Sequence, residues 1–155
     1  MTPGLAHEVA DYLARHHVLT LATCGPEGPW AAAVFYVHDG SALTFLSSPA
    51  TRHCRNLAHD ARCAATIHDD TGEWSRIKGV QLEGRARELQ GDEARLARQR
   101  YGEKFPLIAR AASAPAPILQ ALAKVRWYRI EAQRLYFIDN SRGFGHREQV
   151  ELPNA

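Results

Sequence analysis

The sequence lacks most of the patterns that mark metal sites, disulfide frameworks, membrane spans and nucleic-acid surfaces. Its three cysteines, Cys24, Cys54 and Cys63, show no CxxC spacing, which argues against a zinc site or a disulfide frame and indicates free thiols in a reducing, cytoplasmic compartment. The eight histidines form no HxxxH or HExxH motif, so no metal site is predicted. No apolar run approaches the roughly 20 residues of a transmembrane helix. A net charge of +2 is too small to indicate a nucleic-acid or membrane partner.

Signatures of two large enzyme classes are missing as well. The sequence contains neither a GxGxxG dinucleotide fingerprint nor a GxSxG nucleophile elbow. With 155 residues, 45% of them hydrophobic and 23% charged, the composition is ordinary for a globular protein with a real core. We therefore expect a single domain over residues 1–155.

Segments with strand-like periodicity alternate with turn signals along most of the chain, and a few helical patterns interrupt them. Strands are predicted at residues 18–23, 30–38, 42–46, 63–68, 77–89, 125–131 and 134–139. Helices are predicted at residues 4–16, 52–59, 93–101 and, broken by two prolines, 106–122. Many strands joined by short turns favour a small antiparallel barrel over a parallel βαβ sheet. The expected fold is mainly β (α+β), with peripheral helices.

The long strand at residues 77–89 predicts both a bend and an interface. Gly79 and Gly84 within it invite a bend or a β-bulge. The apolar residues on its even face and on the closing strands exceed what the interior of one barrel needs, which predicts an obligate homodimer. These residues are Val80, Leu82, Ala86, Val125, Trp127 and the stretch 135–138.

The segment Ser47–Leu57, SSPATRHCRNL, predicts an anion site. An apolar run ends at Ser47, Thr51 is a favourable N-cap, and Arg52 and His53 fall in the first turn of the following helix. Free backbone N–H groups, the positive end of the helix dipole and an exposed arginine fork together suit a phosphate. The alternative is a helix start whose basic residues only face water.

A second candidate lies near the C-terminus, at Gly143-Phe-Gly-His-Arg147. Two glycines around an aromatic residue would let the backbone approach a ligand closely, and the alternative is a plain surface turn. Trp30, Tyr36 and Trp127 could stack on a planar ligand, although aromatic residues in strands usually belong to the core.

In this order along the chain, the segments resemble the pyridoxamine 5′-phosphate oxidase-like flavin-binding split barrels, and among them the YhbP-like branch. The resemblance covers nearly the whole chain. It rests on His17-Val-Leu-Thr-Leu21, Ala33-Val-Phe-Tyr36, Thr51-Arg-His53, Lys78-Gly-Val-Gln-Leu-Glu-Gly84, Lys104-Phe-Pro106, Ala114-Pro115 and Asp139-Asn-x-x-Gly-Phe-Gly145.

The resemblance implies a split β-barrel homodimer that binds FMN in two grooves between the chains. By position it implies ring contacts from the second strand, ring or ribityl contacts from the end of the third, and phosphate contacts from the start of the next helix. The long strand of the same or the partner chain and the C-terminal segment would approach the flavin as well. The second strand would contribute Ala32, Ala33, Val34, Phe35, Tyr36 and Val37, and the end of the third strand Leu46 and Ser47. The phosphate contacts would come from Thr51, Arg52 and His53. The long strand would contribute Lys78 and Gly79, and the C-terminal segment Ile138 and Arg147.

Three positions depart from true pyridoxamine 5′-phosphate oxidases, for which the resemblance implies arginine at Ala32, lysine at His53 and glutamine at Gly79. The Arg-x-His substrate signature is also replaced, by Gly143-Phe-Gly145. Oxidation of pyridoxamine phosphate is therefore not expected, and FMN affinity is expected to be lower than in the oxidases.

The function predicted is that of a small FMN-dependent oxidoreductase with unknown substrate. The flavin would carry the redox chemistry, and no catalytic residue is assigned; by position, His146 is the nearest candidate for a proton donor. A non-catalytic flavin-binding or sensing module, and a relative that binds haem or a deazaflavin in the same groove, are the alternatives.

Overall fold

The structure is a computed structural model that describes residues 2–153. Within that range, eight strands form one antiparallel sheet: β1 (Val18–Gly25), β2 (Gly28–Phe35), β3 (Val37–Asp39), β4 (Ala42–Ser47), β5 (Arg62–His68), β6 (Lys78–Glu88), β7 (Arg126–Asp139) and β8 (Arg147–Gln149). The helices are α1 (Leu5–Arg15), α2 (Arg52–His59), α3 (Gly91–Lys104), α4 (Pro106–Ala109) and α5 (Ala116–Leu122). None of these helices is long and apolar enough to cross a membrane.

The sheet curls into a barrel because its two ends are consecutive in the chain. The strand order is β2-β1-β5-β6-β7-β4-β3, and β8 pairs with the end of β7. A single residue, Tyr36, joins β2 at one end of this order to β3 at the other. The mainly β split-barrel fold expected from the sequence is confirmed.

Alternation of burial along β1, β5 and most of β6 separates an interior face from an outer face. In β1, Leu19 and Leu21 are fully buried while Val18 and Ala22 are exposed. Two helices close the two mouths of the interior. Four residues of α1 and two of α2 join the same hydrophobic core, namely Leu5, Val9, Tyr12, Leu13, Cys54 and Leu57.

The strand predicted at residues 30–38 is interrupted at Tyr36. This side chain is fully buried, and its hydroxyl donates to the carbonyl oxygen of Leu13 at 2.8 Å. Because the chain turns inward at Tyr36, residues 28–35 pair with β1, and only Val37–Asp39 form the predicted hairpin with β4.

The two closing strands predicted at 125–131 and 134–139 are one continuous strand, β7, which pairs with β6 from Tyr128 to Asp139. The register shifts by one residue between Glu83 and Gly84, which confirms the predicted bulge. A Cβ at Gly84 would lie 2.1 Å from the carbonyl oxygen of Glu131, so this close approach requires glycine. The short strand β8 lies beyond residue 139, where the sequence predicted no further strand.

The prediction that the apolar residues of the long strand form a dimer interface is wrong. Val80, Leu82 and Ala86 are 0%, 3% and 4% exposed and belong to the core of their own chain, as do Leu135 and Phe137. They fill the barrel interior and leave no apolar excess on that face.

The outer face of the sheet divides into a covered half and an open half. Helix α3 covers the half formed by β4 and the start of β7, where the ring of Tyr101 lies 5.2 Å from that of Trp127. The open half has two rows of small side chains in register across β2, β1 and β5: Ala33, Thr20 and Thr66, then Ala31, Ala22 and Ala64.

Lys104 ties the end of α3 to the end of α1. Its Nζ donates to the carbonyl oxygens of Leu13 at 3.3 Å and His16 at 2.5 Å, and lies 4.2 Å from the ring centroid of Tyr36. Burial lowers the pKa of Lys104 to about 8, from an ordinary 10.5. The free amine is therefore the preferred form in the folded chain above that pH.

This lowered pKa predicts a pH-dependent stability. Between pH 8 and 10.5 the unfolded chain binds more protons at this lysine than the folded chain, so its contribution to the free energy of unfolding rises with pH. Urea titrations of wild type and Lys104→Met measure this effect. As the pH rises from 8 to 10.5, the free energy of unfolding of wild type should increase relative to that of Lys104→Met. A difference that is constant with pH would contradict this assignment.

Candidate functional site

The N-terminus of α2 is organised by the hydroxyl of Thr51. Its Oγ1 accepts from the backbone N–H of Cys54 at 3.4 Å and donates to the carbonyl oxygen of Ser48 at 2.8 Å. Thr51 is thus the N-cap that the sequence predicted. The first backbone N–H groups of α2 have no partner within the helix, as at every helix start.

The imidazole of His53 points into the protein. His53 is 8% exposed, and its Nε2 lies 2.7 Å from Ser47 Oγ and 3.2 Å from Thr51 Oγ1. Burial lowers the pKa of His53, which favours the neutral ring at neutral pH. His53 therefore orients two hydroxyl groups and does not offer a positive charge to a ligand.

Arg52 is half-buried, and the expectation that it is exposed is wrong. Its guanidinium covers the ring of Trp30, with Cζ 4.3 Å from the ring centroid, which leaves the side chain 26% exposed. Nη2 donates to the carbonyl oxygen of Glu27 at 3.3 Å, and Nε lies 3.8 Å from Glu27 Oε2. Nε is buried and, within residues 2–153, makes no hydrogen bond. A buried donor without an acceptor is costly, so an anion that reached Nε would be stabilised there.

Strand β2 runs from this arginine toward the other end of the barrel. It stands at one end of the strand order, so every second residue directs its backbone N–H and C=O away from β1. Its central side chains are alanines at positions 31–33, which leave the backbone edge accessible. Val34 packs against the core, and Phe35 is 56% exposed.

Two further residues predicted beside the ring, Leu46 and Val37, lie on the outer face. Leu46 pairs with Trp127 in β7. Val37 lines a cleft of about 260 Å³ between α3 and the sheet. The arginines of this cleft are paired with carboxylates, Arg87 with Glu93, Arg129 with Glu131 and Arg100 with Asp39.

Lys78 lies at the opposite mouth of the barrel from Arg52. Its Nζ is 3.4 Å from Asp139 Oδ2 and 3.6 Å from Glu8 Oε1, so its charge is compensated by carboxylates. Burial alone would raise the pKa of Asp139, but hydrogen bonds from Ser141 and the charge of Lys78 lower it. The packed core, including Leu21 and Val80, fills the barrel between Lys78 and Arg52.

Gly79, Ile138 and Arg147 form a row on the outer face near Lys78. Gly79 pairs with Ile138, and Ile138 pairs with Arg147. The Arg147 guanidinium lies 4.8 Å from the ring centroid of Tyr136. The structure therefore divides the predicted site residues of one chain between two ends of the barrel.

Sequence reasoning missed the contact partner of Arg52. Glu27 lies between the strands predicted at 18–23 and 30–38, and no local signal pairs that connection with the start of α2. Among residues 2–153, no group of three His, Cys, Asp or Glu side chains converges as a metal site would require.

Comparisons with known proteins now identify the family. A family model described as pyridoxamine 5′-phosphate oxidase matches residues 5–139. The chain is 33% identical over 149 residues to the UPF0306 protein YhbP of Escherichia coli O81 (strain ED1a). The match covers 95% of this chain and 92% of that protein.

Two solved structures show the same fold. A haem-binding protein from Mycobacterium smegmatis matches with a TM-score of 0.75 and 27% identity; the match covers 97% of this chain but only 59% of that longer one. A FAD-binding protein from Mesorhizobium loti matches with a TM-score of 0.65 and 18% identity, covering 84% and 91% of the two chains. By its family-model match and its curated relatives, this chain belongs to the pyridoxamine 5′-phosphate oxidase-like superfamily, in the YhbP (UPF0306) family.

Proposed function

We propose that the protein binds FMN at the N-terminus of α2 and works as a small flavin-dependent oxidoreductase in a homodimer. The observation that carries the proposal is Arg52, whose buried Nε makes no hydrogen bond within residues 2–153 and lies in the first turn of α2. A phosphate oxygen is the acceptor that suits an arginine fork at a helix N-terminus.

The surrounding residues fit a phosphate group with a single cationic ligand. Trp30 and Glu27 hold the Arg52 guanidinium in place, and Thr51 carries a hydroxyl at the same helix start. His53 is neutral and positions Ser47 and Thr51. One fixed charge, partly offset by the Glu27 carboxylate 3.8 Å from Nε, supports binding weaker than in a site with two or three cations.

The edge of β2 suits the flavin ring. Its alanines leave backbone N–H and C=O groups free to hydrogen-bond a flat heterocycle, and Trp30 and Phe35 flank the edge at its two ends. When bound, FMN would supply the electron or hydride transfer. Pyridoxamine phosphate is not proposed as the substrate, because Ala32, Gly79 and Gly143-Phe-Gly145 provide no cation for a second phosphate.

A second chain would bring the two halves of the site together. Lys78, Gly79 and Arg147 cannot meet a ligand held by Arg52 of the same chain, because the core lies between them. In a dimer, the Gly79 end of one chain would face the Arg52 end of the other. The two rows of alanine and threonine on the open outer face are small and uncharged, and this face therefore suits a second copy.

A substitution on the open outer face tests the proposed dimer, and the exposed Cys24 serves as a chemical probe of that face. Ala64→Arg places bulk and charge in the middle of the face, beside Glu83, and should reduce the mass in light scattering from about twice 17.2 kDa to a single chain. Cys24 is the exposed cysteine at the border of this face, whereas Cys54 and Cys63 are buried. Maleimide should therefore label Cys24 faster in Ala64→Arg than in wild type. Ala121→Arg, at an exposed position on α5, is the matched control; a wild-type monomer would exclude the dimer.

Haem is the second candidate, favoured by the 27% identity to a haem-binding protein. An axial ligand would be required, and His68 is exposed on the outer face opposite Gly79, where no side chain shields it. Its Nδ1 lies 3.2 Å from the carbonyl oxygen of Asp69, which leaves Nε2 for a metal.

One experiment separates the two cofactors. The chromophore that copurifies is released by denaturation and identified by mass, and the stripped protein is then titrated with FMN, riboflavin and haemin. The proposal predicts flavin absorption bands, with FMN bound at least about tenfold more tightly than riboflavin because only FMN carries the phosphate. If the protein shows a Soret band that is lost in His68→Ala, and binds FMN no more tightly than riboflavin, the cofactor is haem and not a flavin.

A further inference from the structure

The carboxylate of Glu27 lies directly beside the nitrogen that we assign to the phosphate. Glu27 Oε2 is 3.8 Å from Arg52 Nε, which is too long for a hydrogen bond but close enough for an ion pair. Within residues 2–153, Arg52 is the single ion-pair partner of Glu27. Because Nε carries one hydrogen, it can donate well to one acceptor, either this carboxylate or an oxygen of a ligand.

The backbone of the β1–β2 turn, which carries Glu27, is fixed against α2. Asn56 is 4% exposed, and its Nδ2 donates to Thr23 Oγ1 at 3.1 Å. A Cβ at Gly25 would overlap Asn56 Oδ1, so the turn packs on the helix through a glycine. The carbonyl oxygen of Glu27 accepts from Arg52 Nη2 at 3.3 Å. The fold therefore sets the backbone position of Glu27 beside Arg52, whatever its side chain does.

The side chain of Glu27, in contrast to its backbone, is free to move. It is 75% exposed, whereas the side chain of Arg52 is 26% exposed and covers the ring of Trp30. Nε itself is buried, so a ligand oxygen reaches it only when a neighbouring side chain moves aside. Glu27 is the neighbour that can do so, because breaking an exposed ion pair costs little.

We propose that the Glu27 carboxylate competes with the bound phosphate for the Nε–H of Arg52 and thereby limits the affinity of this site for anions. The inference rests on the proposed function, since the anion is the phosphate of FMN at the N-terminus of α2. In the free protein the carboxylate lies beside Nε, and on binding it turns away into water.

The competition determines which flavins the site prefers. A phosphate monoester carries roughly 1.5–2 negative charges near neutral pH, so the Glu27 carboxylate repels FMN. Riboflavin has no phosphate and does not compete with the carboxylate. Glu27 is therefore a specificity-determining residue that narrows the preference of the site for FMN over riboflavin.

The substitution Glu27→Gln tests the proposal, because it removes the charge but keeps the side-chain size and the backbone carbonyl that holds Arg52. Fluorescence titration of the flavin-free protein should give a Kd for FMN about three- to tenfold lower than wild type, the range for one charge contact near a protein surface. The Kd for riboflavin should stay within about twofold. The gain for FMN should shrink between about 0.05 M and about 1 M salt, because salt screens exposed charges.

Two controls separate this effect from a general change of surface charge. Glu103→Gln removes an exposed carboxylate near the end of α3 and should leave the Kd for FMN within about twofold of wild type. Adding Glu27→Gln to Arg52→Ala should also change this Kd by less than about twofold, because the N–H for which the two anions compete is gone.

Three results would overturn the proposal: an unchanged Kd for FMN in Glu27→Gln, an equal gain for riboflavin, or a gain that persists in the Arg52→Ala background. Inorganic phosphate tests the same contact without a flavin. In thermal unfolding, phosphate should stabilise Glu27→Gln at a concentration about threefold or more lower than wild type, and an equal response would also overturn the proposal.

The phosphate measurement distinguishes failure of this inference from failure of the proposed function. If phosphate stabilises Glu27→Gln at the lower concentration and neither protein binds FMN, the flavin function alone is wrong. If neither FMN nor phosphate binds to either protein, there is no anion site at Arg52, and both proposals are wrong.

Discussion

Replacing Gly79 with glutamine should lower the free energy of unfolding by about 2–3 kcal/mol, the range for forcing extra atoms into a packed site. A Cβ at this position would lie 2.5 Å from the carbonyl oxygen of Ile67 and 2.9 Å from the Cβ of His68. Both atoms belong to β5, so the strands β5 and β6 would have to separate to admit any side chain. Glutamine is the residue that the family resemblance implies here in true oxidases, so this chain cannot regain it by a single substitution without cost to the fold.

Urea unfolding of Gly79→Gln beside Gly72→Gln measures this effect. Gly72 has no atom within 4 Å of where its Cβ would lie, and its φ is not in the left-handed region, so the same substitution there should change stability by less than about 0.5 kcal/mol. Equal stability of the two variants would show that β5 and β6 separate readily at Gly79.

Replacing Arg52 with alanine should weaken FMN binding by about 1.5–3 kcal/mol, or roughly ten- to a hundredfold, the range for a hydrogen bond to a charged group. Riboflavin, which has no phosphate, should bind equally to the variant and the wild type. Because Arg52 covers the ring of Trp30, the variant should also unfold about 0.5–1 kcal/mol more easily without ligand.

Two control substitutions test whether the loss of FMN affinity is due to the guanidinium of Arg52. Arg55→Ala removes an exposed arginine of the same helix, whose Nη1 donates to the carbonyl oxygen of Ala50, and should leave FMN affinity within twofold. Arg52→Lys keeps the charge without the planar fork and should recover only part of the affinity. If fluorescence titrations show that Arg52→Ala binds FMN as tightly as wild type, the FMN phosphate does not bind at the N-terminus of α2.

Features that depend on neighbouring residues were predictable from the sequence. The period of two along β6 correctly placed Val80, Leu82 and Ala86 on one face, and Gly84 correctly marked the bulge. Thr51 was recognisable as an N-cap because capping involves only the next three residues. The order of strands and turns indicated a small antiparallel barrel, and the resemblance to a known family specified the split barrel.

Features that depend on distant contacts were not predictable. Tyr36 breaks a strand because its hydroxyl reaches Leu13, twenty-three residues away in the chain. Whether the even face of β6 points inward or toward a second chain depends on the closure of the sheet, which periodicity does not report. The burial of Arg52 against Glu27 and Trp30 depends on how α2 packs on the β1–β2 hairpin, and this packing leaves no mark in the local sequence.

The opposite placement of Arg52 and Lys78 has a thermodynamic consequence for the proposed dimer. A ligand that touches the Arg52 end of one chain and the Gly79 end of the other bridges two molecules, so its binding equilibrium contains the association equilibrium of the protein. Dilution of the protein would then lower the apparent affinity for the ligand, and saturation with ligand would tighten the dimer by the same free energy. Cofactor occupancy in the cell would thus follow the abundance of the protein as well as the concentration of the cofactor.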